Sequence, residues 1–504
     1  MRIELVKTQQ DSPRISPDTC ERIILQSELV RPLRLKDPDI LFINVPTTFQ
    51  QGVIADGEEP PWGLLRLATA STQIHRLSAG ILDAHRLRLG VTEIESQIRS
   101  VRPRVIGINP TSMNVPEARQ VANICSKLGI AYIVGGVHAT LDPRIAKEDF
   151  SDAEAIVRGN GEIVIGNLVR WIENLKNNEV IPGVYYKNQN VLDRHDYAPK
   201  IDLNTLPTVH QNELIIEPVY KHQVTVNGVS RVIREATLYV TQGCPFNCSF
   251  CSSPTMVEIN SKLSRPYSRP NTSKIVDQVE DAIDLGADAL HFLDDMAFVS
   301  SSHIKEFHKT LTQRKLLGKF IWNGHTRVGV ITSPYFDETT MEMMKETGVW
   351  KLGIGIESGN NTILKRIGKK TSVEQVSNAV TKLAVNKIDP KGYFIMGFPG
   401  ETWEQMLDTY NFIMELKQAG MTDLRVFQFK PFPGTREYEY LQKTNPGVLL
   451  QINYLRHVNT GLTGEAQNRF ETNAWLPEDI MISQVRSGEV QQLVMKALND
   501  FFAK

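Results

Sequence analysis

Three of the five cysteines in this chain fall close together, Cys244, Cys248 and Cys251, in the run Thr241-Gln-Gly-Cys-Pro-Phe-Asn-Cys-Ser-Phe-Cys-Ser252. The spacing is C-x3-C-x2-C. Three thiolates this close can each hold one iron of a [4Fe–4S] cube, because every iron of such a cluster wants one cysteine ligand. The set lacks a fourth cysteine, which leaves one iron able to bind a substrate or cofactor directly. The plainer readings are a structural zinc site or three buried thiols. A closed zinc site needs four ligands, usually in paired short spacings. Here Cys20 and Cys125 stand alone, and His222 lies upstream without a finger-like spacing. Cys125 sits in an apolar helical pattern with Val121 and Ile124 and reads as core.

These cysteines need a scaffold, and the chain is long enough to build one. Its 504 residues allow more than one domain with a core of its own. Its 56 basic and 57 acidic residues leave a net charge of −1, so there is no electrostatic footprint for nucleic acid. No apolar run reaches the roughly 18 residues of a membrane span. Residues 1–10 lack the apolar core of a signal peptide. Few cysteines and a reduced cluster both suit the cytoplasm, which is the expected location.

Between residues 37 and 200, after an extension at 1–36, short apolar runs alternate with amphipathic stretches. The pattern predicts strands at 40–45, 79–83, 105–109, 131–135 and 155–158, and helices at 62–75, 92–101, 116–128 and 163–176. Such alternation predicts a doubly wound, Rossmann-like parallel sheet. Ligands bind such sheets beyond the carboxyl ends of the strands. The residues there are Asn109-Pro-Thr-Ser-Met113, Gly135-Gly-Val-His-Ala-Thr140 and Arg158-Gly-Asn-Gly-Glu162. The glycines Gly135, Gly136, Gly159 and Gly161 would let backbone approach a bulky ligand.

After a linker at 201–235, residues 236–436 read as strand–helix repeats of a partial (β/α)6 barrel. Strands are predicted at 237–241, 289–293, 320–323, 352–356, 393–396 and 425–429. Chemistry in such barrels sits at the carboxyl ends of the strands, and the cysteine loop follows the first of them. The last part, 437–504, reads as a small α-helical capping region, with amphipathic helices over 477–504. Asn453, Tyr454 and His457 are candidate contacts there, although a solvated role suits them better.

The cysteine run, followed in order by five strand-end motifs, resembles the radical S-adenosylmethionine (SAM) superfamily. The resemblance implies that the open iron chelates SAM and that reductive cleavage yields a 5′-deoxyadenosyl radical. It also assigns roles. Phe250 would flank adenine, and Asp294 and Asp295 would receive the SAM amino group. Arg327 would pair with the SAM carboxylate. Glu357 and Ser358 would bond ribose or the methionyl group, and Ile395 and Gly397 would pack on adenine. The family wording at Asp294–Asp295 is often Gly-Gly-Glu. Pro431-Phe-Pro-Gly-Thr435 resembles a family turn that usually begins with tyrosine, which is Phe432 here.

The first domain, with Pro61-Trp-Gly-Leu-Leu65, Asp83, Gly-Gly-x-His-Ala-Thr and Gly-x-Gly-Glu, resembles the cobalamin-binding domain that precedes many radical SAM barrels. Asn160 departs from the usual acidic residue. The resemblance makes cobalamin an expected cofactor beside the cluster and SAM, with His138 near the corrin or in a turn. Asp83-Ala-His85 looks like the start of the Asp-x-His-x-x-Gly motif whose histidine ligates cobalt. The glycine position is Arg88, however, and the motif belongs after the first strand rather than the second. His85 is therefore expected to leave cobalt alone.

The implied activity is methylation of an unactivated carbon in a small molecule. Radical dehydration, cyclisation or rearrangement is the second reading, and a non-catalytic cobalamin or redox sensor the third. Methylthiolation is disfavoured, because its enzymes carry further N-terminal cluster cysteines and a basic C-terminal module. The expected partners are the substrate and an electron donor such as flavodoxin or ferredoxin, without nucleic acid or membrane.

Overall fold

The computed structural model describes residues 37–46, 48–49, 53–54, 60–87, 89–112, 114–173, 180–188, 197–199, 201–209, 219–226, 228–253, 256, 267–452, 476 and 478–503. Residues 1–36 with Cys20, and also Arg88, Asn453, Tyr454 and His457, lie outside the described residues. The chain forms two compact units, the change in sequence falling between Tyr220 and Lys221.

The first unit is built on six strands: β1 (Ile40–Asn44), β2 (Ala79–Asp83), β3 (Val105–Ile108), β4 (Ala131–Val134), β5 (Ala155–Val157) and β6 (Val184–Tyr186). Their spatial order is β2-β1-β3-β4-β5-β6. The first five run parallel and β6 is an antiparallel edge. The parallel strands are almost wholly apolar and buried, as a sheet covered by helices on both faces requires. The crossover helices are Trp62–Gln73, Val91–Val101, Val115–Leu128 and Gly161–Glu173. Cys125 is fully buried on the inner face of helix Val115–Leu128, and burial pushes its thiol up to about 12. The strand order reverses between β1 and β3, which opens a crevice at their carboxyl ends.

Two features of this unit depart from the sequence pattern. The edge strand β6 is too short for a period to show. The Gly135-Gly136 turn runs on into two brief helices, Gly136–Leu141 and Pro143–Asp149, the second capped by the Asp142 carboxylate.

The second unit is built on seven strands in chain order across the sheet: β7 (Val219–Val226), β8 (Val229–Leu238), β9 (Ala289–Phe292), β10 (Ile321–Arg327), β11 (Val349–Glu357), β12 (Asp389–Met396) and β13 (Asp423–Gln428). Strands β8 to β13 are parallel, an open half-barrel. On β10, β12 and β13 fully buried residues alternate with partly accessible ones. The buried face packs under helices such as Ser301–Gln313, where Phe292, Phe298, Phe307 and Trp322 form a ring cluster. Burying each such side chain stabilises by about 1.5–3 kcal/mol. The other face lines the lumen.

Three expectations are corrected here. Strand β8 begins well before residue 237 and stops at Leu238, because the Asp294 carboxylate takes the N–H groups of Val240 and Thr241 off the ladder. Strand β10 runs past residue 323 to Arg327, with Asn323 and His325 facing the lumen within the strand. The stretch predicted as linker contains β7, whose alternating burial marks a half-exposed edge.

After the sheet come helices Arg436–Thr444, Pro446–Gln451 and Ser487–Phe502. The last of these buries Val490, Val494, Ala497 and Leu498. Among the described residues no helix is long and apolar enough to cross a membrane.

Candidate active site

The cysteine loop leaves the carboxyl end of β8 with little regular structure, so side chains must hold it. Asp294, fully buried after β9, accepts from Val240 N–H at 3.0 Å, Thr241 N–H at 2.5 Å and the Thr241 hydroxyl at 2.6 Å. Gln242 bridges Ser268. Farther along, the Asn247 carbonyl accepts from Arg436 Nη2 at 2.6 Å, and Ser249 donates its N–H to the Ile367 carbonyl and its hydroxyl to Glu437. At the far end the Ser253 hydroxyl donates to Asp295 at 2.5 Å. The charge-assisted bonds to Asp294, Glu437 and Asp295 are the stronger of these, because a carboxylate acceptor roughly doubles a neutral hydrogen bond.

The three thiols on this loop are free of disulfides, and Cys248 is buried. Burial pushes the Cys244 thiol up to about 11 and the Cys251 thiol up to about 12, with the Asp295 carboxylate adding to both. Thiols raised this far ligate as thiolates only when a metal takes the proton's place. Among the described residues no three His, Cys, Asp or Glu side chains group where a single metal ion could sit. Three thiols fall one ligand short of a closed zinc site. Their donor set fits a cluster that takes one iron per thiolate.

The other predicted residues gather at the same strand ends. Phe250 packs edge-on to Phe398 at 5.7 Å, with Phe429 behind. Arg327 ends β10, is buried, and lies over the Phe246 ring at 4.1 Å. Its Nη1 reaches Cys248 Sγ at 3.5 Å and its Nη2 donates to the Lys369 carbonyl. Glu357 ends β11 at a register shift, with φ of 75°. A left-handed glutamate costs backbone energy of order 1–3 kcal/mol and marks a constrained site. Lys369 Nζ holds its carboxylate at 2.6 Å, both side chains buried.

Ser358 is fully buried, and its hydroxyl faces Thr409 at 3.1 Å and accepts from Asn360 N–H. Ile395 is a partly accessible lumen residue of β12. Gly397 has φ of 90° and donates its N–H to Glu401 at 2.7 Å. A cavity of about 440 Å³ borders the Phe246–Arg327 stack and includes Tyr335 and Lys370, but none of the cysteines.

Below these residues the lumen holds a polar layer to which the sequence reading gave no role. His325 Nε2 lies 3.1 Å from the Tyr393 hydroxyl, and the Asp294 carbonyl bonds the same imidazole. A carbonyl only accepts, so that ring nitrogen carries a hydrogen, and in the neutral ring Nε2 accepts a hydrogen bond from the Tyr393 hydroxyl. His291 lies 5.9 Å away, its pKa lowered by burial to about 4. Gly353 of β11 leaves space for this pair, since a Cβ there would meet Tyr393 at 2.7 Å and His325 at 2.9 Å. Lys351, Lys391 and Arg425 surround Asp423 deeper down. The available signal was the two-residue spacing of Asn323, His325 and Arg327. Lys430, just past β13, has an ammonium pushed down by burial to about 7.

In the first unit the glycines answer to the protein's own packing. Gly136 has φ of 81°, and a Cβ there would strike Asn109 at 1.8 Å. Gly159 has φ of 94°, and a Cβ at Gly161 would meet Leu67 at 2.8 Å. Gly135 is extended and precedes the short helix. His138 is buried, with Ser112 Oγ 3.3 Å from Nδ1 and Asp149 Oδ2 3.1 Å from Nε2, so both ring nitrogens are engaged. His85 donates its backbone N–H to the Asn44 carbonyl at the end of β1.

Residues 238–413, from the end of β8 through the helix after β12, match the Radical SAM superfamily. Those residues form a radical SAM domain, and the protein is a radical SAM enzyme, which uses a [4Fe–4S] cluster and SAM. An uncharacterized methyltransferase of Pyrococcus horikoshii, PH0819, is 26% identical over 430 residues, covering 84% of this chain and 87% of that protein. The fold is similar to that of the radical SAM methyltransferase TsrM from Kitasatospora setae, solved with cobalamin and a [4Fe–4S] cluster, with a TM-score of 0.58 at 18% identity over 80% of this chain and 74% of TsrM. It is also similar to the cobalamin-dependent radical enzyme OxsB, solved with aqua-cobalamin and SAM, with a TM-score of 0.59 at 15% identity over 93% of this chain and 62% of OxsB.

Proposed function

We propose that this enzyme methylates carbon in a small molecule, using SAM, a [4Fe–4S] cluster on Cys244, Cys248 and Cys251, and cobalamin in the first unit. The observation that carries the reading is the pairing within one chain of a cysteine loop tied for a cluster with a doubly wound sheet whose strand order reverses between β1 and β3. Likeness to a methyltransferase over most of both chains, and to two folds solved with cobalamin, supports it.

Asn44, Asn109, Thr111, Ser112 and Asn114 stand at or just past the ends of β1 and β3 and offer polar side chains to a large amide-bearing ring; of these, Asn44 also donates to Asp83 and Asn114 to the Val45 carbonyl. Ser112 and His138 stiffen that end of the sheet through the bond to Asp149. Cobalamin supplies a methyl carrier when bound.

In the barrel, Asp294 and Asp295 fix the two ends of the cysteine loop, and Asp295 remains partly open to receive an amino group. Glu357, held by Lys369, presents a carboxylate edge at the end of the central strand. Phe250 and Ile395 offer apolar surface to a planar base, and Gly397 sets the turn beside them. The Tyr393–His325 pair lies on the lumen side, where the Tyr393 hydroxyl can hydrogen-bond a substrate. A soluble electron donor is part of the same reading.

Anaerobic reconstitution with iron, sulfide and cobalamin tests this directly. With reductant and SAM, 5′-deoxyadenosine should form. S-adenosylhomocysteine should also form, and only when cobalamin is supplied. Deoxyadenosine with no cobalamin-dependent S-adenosylhomocysteine would leave the radical step and remove methylation.

A further inference from the structure

A guanidinium taken out of water needs an anion or a full set of acceptors. Arg327 is 6% exposed, and among the described residues no carboxylate forms an ion pair with it. Its engagements are three. Nη2 donates to the Lys369 carbonyl, the plane lies 4.1 Å over Phe246, and Nη1 points at Cys248 Sγ from 3.5 Å. Phe246 stands in the loop between Cys244 and Cys248. The loop's own aromatic ring therefore clamps the guanidinium against the loop's own thiol. The SAM carboxylate, to which the sequence resemblance assigns Arg327, would have to compete with all three contacts.

We propose that Arg327 is a positioning residue for the cluster itself: its hydrogen bond to the Cys248 sulfur sets the cluster's reduction potential. The inference rests on the cluster reading given under Proposed function. Reduction adds one negative charge to the cluster and its thiolates. A fixed cation donating to one of those sulfurs stabilises the reduced form more than the oxidised form, and so raises the potential. Planarity matters, because the guanidinium lays its flat face on Phe246 while its in-plane fork of N–H groups is directed at the Cys248 sulfur and the Lys369 carbonyl. On the other side of the loop Asp295, bonded to Ser253, is a carboxylate acting in the opposite sense. The two residues thus give the cluster an electrostatic polarity from Cys248 toward Cys251.

The test is a redox titration of the reconstituted full-length protein without SAM, followed by the electron paramagnetic resonance of the reduced cluster. The electron comes from the titrant, and no bond to Arg327 forms or breaks. R327M should hold its iron but show about a tenfold lower ratio of reduced to oxidised cluster at a fixed solution potential, a shift of about 59 mV to the negative. F246L, which removes only the clamp, should shift in the same direction by less. SAM affinity of the oxidised cluster, measured by equilibrium binding, should change little in either variant. An R327M cluster at the wild-type potential with weakened SAM binding would overturn the proposal and return Arg327 to the SAM carboxylate. If R327M fails to assemble a cluster, F246L decides, and an unchanged potential there overturns it equally. Failure of the wild type to assemble any cluster would instead remove the proposed function.

Discussion

The residues with the most at stake are the three thiols. Each is expected to hold one iron, so Cys244→Ala, Cys248→Ala and Cys251→Ala should each abolish the brown absorbance and the complement of about four irons per chain after anaerobic reconstitution. Cys125→Ala should keep both, because that thiol is sealed in the first unit's core with its proton held. Truncating it there should cost stability but no iron. Iron analysis of the four proteins settles the assignment, and loss of the cluster in Cys125→Ala alone would overturn it. These cysteines were legible in the sequence because ligand spacing is a local property. The Arg327 contact was not, since it joins positions 79 apart. The Tyr393–His325 pair was hidden for the same reason, being 68 apart on two strands.

At the scale of elements, the loop and the turn around the site are held by single buried carboxylates. Asp294 accepts two backbone N–H groups and a hydroxyl at the start of the cysteine loop, while its carbonyl bonds His325. Asp294→Ala leaves those donors buried and unmet, at about 1–3 kcal/mol each. The loop should loosen before the barrel does. Iron release to a chelator should quicken at least several-fold while far-ultraviolet circular dichroism stays near wild type; wild-type release kinetics would sink this account. The sequence resemblance offers backbone carbonyls at Asp294 and Asp295 to the SAM amino group; the structure adds a separate task for the Asp294 carboxylate, holding a loop 53 residues upstream, which no strand-end motif can reveal. Strand identities were readable because the apolar face of each strand repeats at two residues. Strand ends were misread where a polar side chain faced the lumen, as at His325, or a carboxylate captured the backbone, as at Thr241.

Glu401 poses the same kind of question for the turn after β12. It is fully buried and accepts the N–H groups of Gly397 and Phe398, yet burial raises its carboxyl to about 7 from an ordinary 4.5. Between those values the native state keeps a proton that the unfolded chain has lost. The stability tied to Glu401 is therefore fully present below about pH 4.5, falls as pH rises to about 7, and is level above it. Glu401→Gln keeps an acceptor for the turn and removes the titration. Relative to wild type it should gain on the order of 3 kcal/mol between pH 5 and pH 8. Urea midpoints of the two apo-proteins at both values measure this, and parallel pH profiles would show that the carboxyl titrates normally.

The whole molecule makes its strongest claim through stoichiometry. With cobalamin in the first unit, as proposed, the chain has two uses for SAM, one as radical source and one as methyl source. Each completed methylation should then consume two SAM, giving 5′-deoxyadenosine and S-adenosylhomocysteine in about equal amounts when coupling is tight, because each use serves one turn of the same cycle. With a substrate deuterated at the carbon attacked, the deuterium should appear in 5′-deoxyadenosine. With SAM labelled in its methyl group, the label should appear in the product. His325→Gln and Tyr393→Phe should separate the lumen from the cluster: both should still cleave SAM, but with an excess of 5′-deoxyadenosine over product, because the substrate is held less well while the cysteine loop is intact. Cleavage without S-adenosylhomocysteine and without a gain in product mass would make radical dehydration or rearrangement the better account. Equal loss of cleavage and product in both lumen variants would mean that the Tyr393–His325 pair supports the loop through Asp294 rather than the substrate.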